Sequence, residues 1–172
     1  MNVGLPSIIV VMGVSGCGKS AVGEAIAKQL GLALIEGDAF HPAANIEKMS
    51  RGLPLTDEDR AGWLAGLGRE LQQRPKGAVL TCSALKRSYR EGLRADVPGL
   101  RFVHLALSQA QALERVTSRP GHSYPPSLVA SQFQALEDPS GETGVVVVDA
   151  TWPLEQVVRQ AVAGLGRSTM RN

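Results

Sequence analysis

Gly13-Val14-Ser15-Gly16-Cys17-Gly18-Lys19-Ser20 fits the pattern G-x-x-x-x-G-K-[ST], and its reading decides the fold. The pattern describes a loop whose glycines let successive backbone N–H groups turn inward onto phosphate oxygens. The helix that follows adds its unpaired N-terminal donors and the positive end of its dipole. In this arrangement Lys19 reaches the β- and γ-phosphates and the Ser20 hydroxyl sits on Mg²⁺. At ordinary residue frequencies, fewer than about one in a hundred chains of this length would carry the pattern by accident. Its context is the one the chemistry needs. Ile8-Ile9-Val10-Val11-Met12 is apolar throughout, as a parallel strand buried on both faces must be. After the loop, Val22, Ala25, Ile26 and Leu30 recur at helical spacing until Gly31 stops the helix.

Working outward, apolar runs alternate with helical patterns to the end of the chain, which predicts an α/β fold with a parallel sheet. Further strands are expected over 32–35, 78–82, 101–107 and 145–149. Thr56 is placed to cap a helix whose first turn, Asp57-Glu58-Asp59, is acidic, and Trp63, Leu64, Leu67 and Leu71 share one face of it. A last helix is expected from Pro153, burying Val157, Val158, Ala161, Val162 and Leu165, with fraying over 166–172. The 172 residues, with no repeat or linker, suggest a single domain over 1–172. A formal charge of +2 gives no reason to expect a nucleic-acid or membrane partner, and no apolar run approaches the length of a membrane span. No signal peptide is visible, and two cysteines cannot make a disulfide framework, so a cytoplasmic location is expected.

Ligands of open α/β sheets bind beyond the carboxyl ends of the strands, so chemistry is sought there. After the second strand come Glu36 and Asp38, while the third ends in Thr81-Cys82-Ser83 without an acidic metal ligand. This points to Glu36 for the water shell of Mg²⁺ and Asp38 for orienting an acceptor hydroxyl. Turn and capping roles explain the same two acids. After the third strand, Lys86, Arg90 and Arg94 fall on one face if the segment is helical. Lys86 and Arg90 lie where an anionic acceptor would sit, a solvated basic face being the other reading; Arg94 is expected at the surface. The stretch 115–126 has no apolar period, contains Pro120, Gly121, Pro125 and Pro126, and carries Arg115 and Arg119. It reads as a lid, over about 117–127, bringing arginines to the phosphates, or else as a plain connecting loop. Asp149 after the fifth strand is either a base or a helix cap. Cys17, among inward N–H groups beside Lys19, sits where a thiolate is favoured, although small packing residues would account for both cysteines.

These residues together resemble the gluconate kinases. The likeness runs from the loop at 13–20 through Gly37-Asp38, His41-Pro42 and Asn45-Ile46-Glu47-Lys48-Met49 to Pro54-Leu55-Thr56-Asp57-Glu58-Asp59-Arg60 with Trp63-Leu64. It continues through Cys82-Ser83-Ala84-Leu85-Lys86, Tyr89-Arg90, Arg119, Gly121-His122 and Ser131-Gln132-Phe133 to Leu136-Glu137. The resemblance implies ATP-dependent phosphorylation of D-gluconate at its 6-hydroxyl and a P-loop NTPase three-layer fold. The implied sheet has five parallel strands in the order 2-3-1-4-5, as in nucleoside monophosphate kinases with a lid, and a homodimer is common. On this pattern Gly13, Val14, Ser15, Gly16, Cys17, Gly18, Lys19, Ser20, Arg115 and Arg119 would hold the nucleotide. Asp38, His41, Asn45, Arg60, Lys86, Arg90, His122 and Gln132 would meet the sugar acid, and Ser20 and Glu36 the metal. Lys19, Asp38 and Arg119 are the expected catalytic residues. The chain departs from the family pattern at Glu36, usually Asp, and at Pro120 and Ser123, usually a basic residue and an aromatic; Tyr124 is placed to supply the ring. A different small-metabolite kinase, such as a shikimate kinase, and a P-loop nucleotide switch are the rival readings.

Overall fold

The computed structural model describes residues 8–118 and 126–169. The five strands are β1 (Ile8–Met12), β2 (Ala33–Glu36), β3 (Ala78–Thr81), β4 (Arg101–Ala106) and β5 (Val145–Asp149). They form one parallel sheet in the order β2-β3-β1-β4-β5. β1 lies in the middle, which is why its sequence is apolar at every position. Ile9 and Val11 face one core with α1 (Lys19–Leu30), α5 (Gln109–Ser118), α6 (Pro126–Ala135) and α7 (Leu154–Thr169). Val10 and Met12 face a second core with α3 (Asp57–Gln72) and α4 (Arg87–Asp96). The short α2 (Ala43–Ser50) stands outside both, beyond the carboxyl end of β2.

Expected boundaries shift by a residue or so at several strand ends, and two differences are larger. The basic residues of the β3–α4 segment do not share one helix. Ala84 adopts φ 46° and Lys86 is extended at φ −98°, ψ 147°, so α4 begins only at Arg87. At the other end of the chain, α7 continues to Thr169, past the expected fraying point.

The glycines that the phosphate pattern demands are used as the pattern implies. Gly18, at φ 95°, is the left-handed N-cap that turns the loop into α1. Gly37 has a different reason. A Cβ there would stand 2.2 Å from the carbonyl oxygen of Thr81, so only glycine lets β2 leave the sheet this close to β3.

Candidate active site

Three groups of side chains gather at the carboxyl end of the sheet. The first is the 13–20 loop. Lys19 Nζ folds back to donate to the carbonyls of Gly13 (2.9 Å) and Val14 (3.2 Å), which holds the cation over the loop. Ser15 N–H donates to Gln132 Oε1 at 2.6 Å, tying α6 to the loop. Arg115 braces it from another side, Nη1 to Gly16 O at 3.1 Å and Nη2 to Ala150 O at 2.6 Å. Arg115 is thus a bridge between this loop and the one after β5.

The second group is built by strand register. β2 and β3 pair so that Glu36 lies opposite Thr81. Glu36 Oε2 accepts from Thr81 Oγ1 (2.5 Å) and from Ser20 Oγ (3.1 Å), and Thr81 Oγ1 accepts from Gly37 N–H (3.3 Å). A carboxylate and two hydroxyls therefore converge at the start of α1. These are hard oxygen donors, suited to Mg²⁺ with waters and phosphates completing its shell. Among the described residues no cluster of three or more His, Cys, Asp or Glu side chains could hold a metal by itself.

The third group surrounds a cavity of about 50 Å³. Ser15 and Lys19 border it from the loop, Asp38, His41, Arg60 and Trp63 from the β2–α3 side, Ser83 from the end of β3, and Ser131 and Gln132 from α6. His41 is buried and stacks on Trp63, centroids 4.0 Å apart and planes 16° apart. Trp63 Nε1 donates to Gly37 O at 2.8 Å, which fixes both rings against the 3₁₀ turn Gly37–Phe40 that carries Asp38. Asn45 Nδ2 donates to His41 Nδ1 (3.2 Å) and to Asp59 O (2.9 Å). With Nδ1 accepting, the His41 proton sits on Nε2, 3.8 Å from Asp38 Oδ1. Burial lowers the His41 pKa more than nearby Asp38 raises it, so the ring is a neutral donor at pH 7.

α3 is held in place by the cap foreseen at Thr56. Thr56 Oγ1 accepts from Asp59 N–H, and Asp59 Oδ2 accepts from Thr56 N–H. Lys48 Nζ also bonds Asp59 Oδ2, at 2.6 Å, and it is chiefly this bond that holds the Asp59 carboxyl at about 2.

Several expected site residues are placed elsewhere. Arg90 is wholly buried behind the β3–α4 loop. Its Nε and Nη2 form a fork onto Glu142 (2.9 and 2.6 Å), Nη1 bonds Ala84 O and Leu85 O, and Nη2 also bonds Glu137 O. Every guanidinium donor is satisfied by the protein, so the fold itself accounts for this arginine. Arg94, expected at the surface, is half-buried and joins Glu142 at 3.1 Å. Asn45 reaches the cavity only through His41. Lys86 is bound to Asp57 at 2.8 Å rather than lining the cavity. Asp149 accepts from Thr151 N–H and Oγ1, closing a turn instead of capping α7. Burial pushes the Cys17 thiol up against the opposing pull of Lys19, and pushes Cys82 up to about 12, which removes the expected thiolate character. Arg119 and His122, with most of the expected lid, lie outside the described residues.

By periodicity Trp63 is part of an apolar helix face, and Thr81 stands where an acid is missing. The spacing Glu36–Gly37–Asp38 beside a strand ending in Thr81 was the available signal for the second. For Trp63 the resemblance marks the residue but not its indole bond, which depends on the tertiary fold.

A family model described as an AAA domain matches residues 8–139. The chain is 51% identical over 146 residues to Gluconokinase of Gluconobacter oxydans (strain 621H), covering 83% of this chain and 82% of that protein. It is 43% identical over 159 residues to Thermoresistant gluconokinase of Escherichia coli (strain K12), covering 90% and 91%. Among solved structures, a gluconokinase from Sinorhizobium meliloti 1021 superposes with a TM-score of 0.90 at 53% identity, covering 96% of this chain and 95% of that one.

Proposed function

The chain belongs to the gluconokinase family, and from that premise we propose that it transfers the γ-phosphoryl group of ATP to the 6-hydroxyl of D-gluconate, giving 6-phosphogluconate and ADP. The observation that carries this reading is one cavity in which the phosphate loop, through Ser15 and Lys19, meets Asp38, His41 and Arg60. Phosphoryl transfer needs little covalent help from a protein; it needs alignment and neutralised charge. The backbone N–H groups of 13–20 cradle the phosphates, and Lys19 exchanges its two carbonyl partners for phosphate oxygens. Asp38 orients the acceptor hydroxyl and takes its proton. His41, neutral and with its proton on Nε2, donates to a neighbouring hydroxyl of the polyol, and Arg60 meets the carboxylate. Trp63 and Asn45 hold His41 in that pose.

Mg²⁺ would be held by Ser20 directly and by Glu36 through water, and when bound it supplies charge neutralisation at the phosphates. The extra methylene of Glu36 relative to Asp is accommodated by its bonds to Ser20 and Thr81. Arg119 and His122, which lie outside the described residues, keep the roles expected of them, the first toward the phosphates and the second toward the sugar acid. Gln132, already on the loop, adjusts α6 to both substrates. Arg90 has no substrate role in this reading. A single kinase domain, a cytoplasmic location and a homodimer belong to the same proposal, the last being open to light scattering. No helix among the described residues is long and apolar enough to cross a membrane.

The test is ADP release over a panel of sugar acids and shikimate. Release that depends on gluconate supports the reading. Preference for shikimate, or release indifferent to every acceptor, would replace it with another kinase or a nucleotide switch, neither of which the relatives favour.

A further inference from the structure

α3 and α4 meet next to Arg60, which borders the cavity, through side chains that phosphoryl transfer alone leaves without a role. Asp57 opens α3, and its Oδ1 accepts from Lys86 Nζ at 2.8 Å and from the Tyr89 hydroxyl. A phenol has one proton. With that proton given to Asp57, the Tyr89 oxygen can only accept from its other neighbour. That neighbour is Arg60, whose Nη1 donates to Tyr89 Oη at 3.3 Å and to Leu55 O at 3.2 Å. The guanidinium also lies 5.5 Å from the centre of the Tyr89 ring, within cation–π range. Both Nη1 protons are thereby spent on the protein. Among the described residues, Nε and Nη2 have no protein partner, and Arg60 borders the cavity with Asp38 and His41. Nε–H and Nη2–H are the side-on pair of an arginine, the pair that matches the two oxygens of a carboxylate. Burial, then the Asp57 bond, raise the Tyr89 pKa and keep it a phenol.

We propose that Tyr89 is a positioning residue that sets the Arg60 fork for the carboxylate of the acceptor, with Asp57 fixing the direction of the phenol's hydrogen bond. This rests on the reading of Arg60 as the contact for that carboxylate. It makes selectivity for a polyhydroxy acid over the neutral polyol a property of the α3–α4 contact as well as of the cavity wall.

The experiment is a cycle of Arg60→Ala, Tyr89→Phe and the double variant, with steady-state kinetics in gluconate and in ATP. Tyr89→Phe keeps the ring and removes the hydroxyl. It should raise the gluconate KM about tenfold, the size expected for one hydrogen bond to a charged group, with kcat within about twofold and the ATP KM unchanged. The double variant should be no worse than Arg60→Ala alone, because the phenol acts through that arginine. Asp57→Asn, at an exposed position, should raise the gluconate KM in the same direction and covers the case in which Tyr89→Phe folds poorly. Losses that add in the double variant, or a fall in kcat without a KM change, would mean that Tyr89 merely packs α3 on α4 and would overturn the proposal. An unchanged gluconate KM in Tyr89→Phe, with a raised one in Arg60→Ala, would overturn it while leaving the gluconate reading intact. An unchanged gluconate KM in Arg60→Ala would overturn the assignment of Arg60, and this proposal with it.

Discussion

Glu142→Gln decides whether Arg90 belongs to the fold or to the substrate. The carboxylate that it removes is 8% exposed, and the arginine that it leaves behind is 0% exposed. Arg90 would keep the carbonyls of Ala84, Leu85 and Glu137 but lose the carboxylate of its forked contact, and Gln can offer just one acceptor in place of two. Removing one member of a buried ion pair costs about 3–5 kcal/mol, because the other charge is left uncompensated. In a chain of this size each kcal/mol is worth about 2–4 °C, so Tm should fall by about 6–20 °C at pH 7. The pH dependence follows from the Glu142 pKa, which the Arg90 bond, and then Arg94, hold below the ordinary carboxylate value against the effect of burial. A carboxyl whose folded pKa is depressed stabilises above its unfolded value of about 4.3 and loses that contribution as pH falls through the folded one. The Tm gap between wild type and variant should therefore be widest near neutrality and narrow on acidification below about pH 4. Circular-dichroism melts over that range, with gluconate KM measured below the melting transition, provide the assay. A Tm within about 2 °C of wild type at pH 7 would refute the buried pair. A large rise in gluconate KM at an unaltered Tm would return Arg90 to the acceptor.

Lys19→Ala removes the cation from the developing phosphoryl charge, and turnover should fall at least about a hundredfold; near-normal turnover in a folded variant would end the phosphate-loop assignment. Asp38→Asn should abolish gluconate-dependent turnover while nucleotide affinity, measured by calorimetry, persists; equal loss of both would move Asp38 to the metal. Gly37→Ala forces a methyl group to within 2.2 Å of Thr81 O, and backbone cannot yield as a side chain does. A destabilisation of about 1–3 kcal/mol in urea, with loss of gluconate turnover as Asp38 is displaced, is expected; an unaltered urea midpoint would refute the close approach as the reason for glycine at this position.

What could be read from the sequence divides along a physical line. β1, the 13–20 loop and α1 were legible because their signals are local: an apolar run, glycines at left-handed positions, a helical period. The Thr56 cap was legible for the same reason, its partner Asp59 being three residues away. Arg90 was not. Its spacing suggested a helix face, but what that face meets is Glu142, separated by 52 residues and brought back by the segment after α6. Lys86 falls outside the helix face its spacing suggested because the left-handed Ala84 delays the helix, and nothing about an alanine announces φ 46°. The Glu36–Ser20–Thr81 group was half legible. The acid and the serine were visible, whereas the threonine depends on the β2–β3 register. Cys17 shows the limit of local electrostatics, since the N–H groups and Lys19 were read correctly and complete burial outweighs them.

The most direct test of the central claim is phosphorus NMR, with proton coupling retained, on the product made from ATP and D-gluconate. Phosphorylation at the 6-hydroxyl places the phosphorus on a primary carbon, so its resonance should be split by that carbon's pair of hydrogens into a triplet, growing in step with ADP. A doublet, which marks a secondary carbon, or release of inorganic phosphate with gluconate unconsumed, would contradict it.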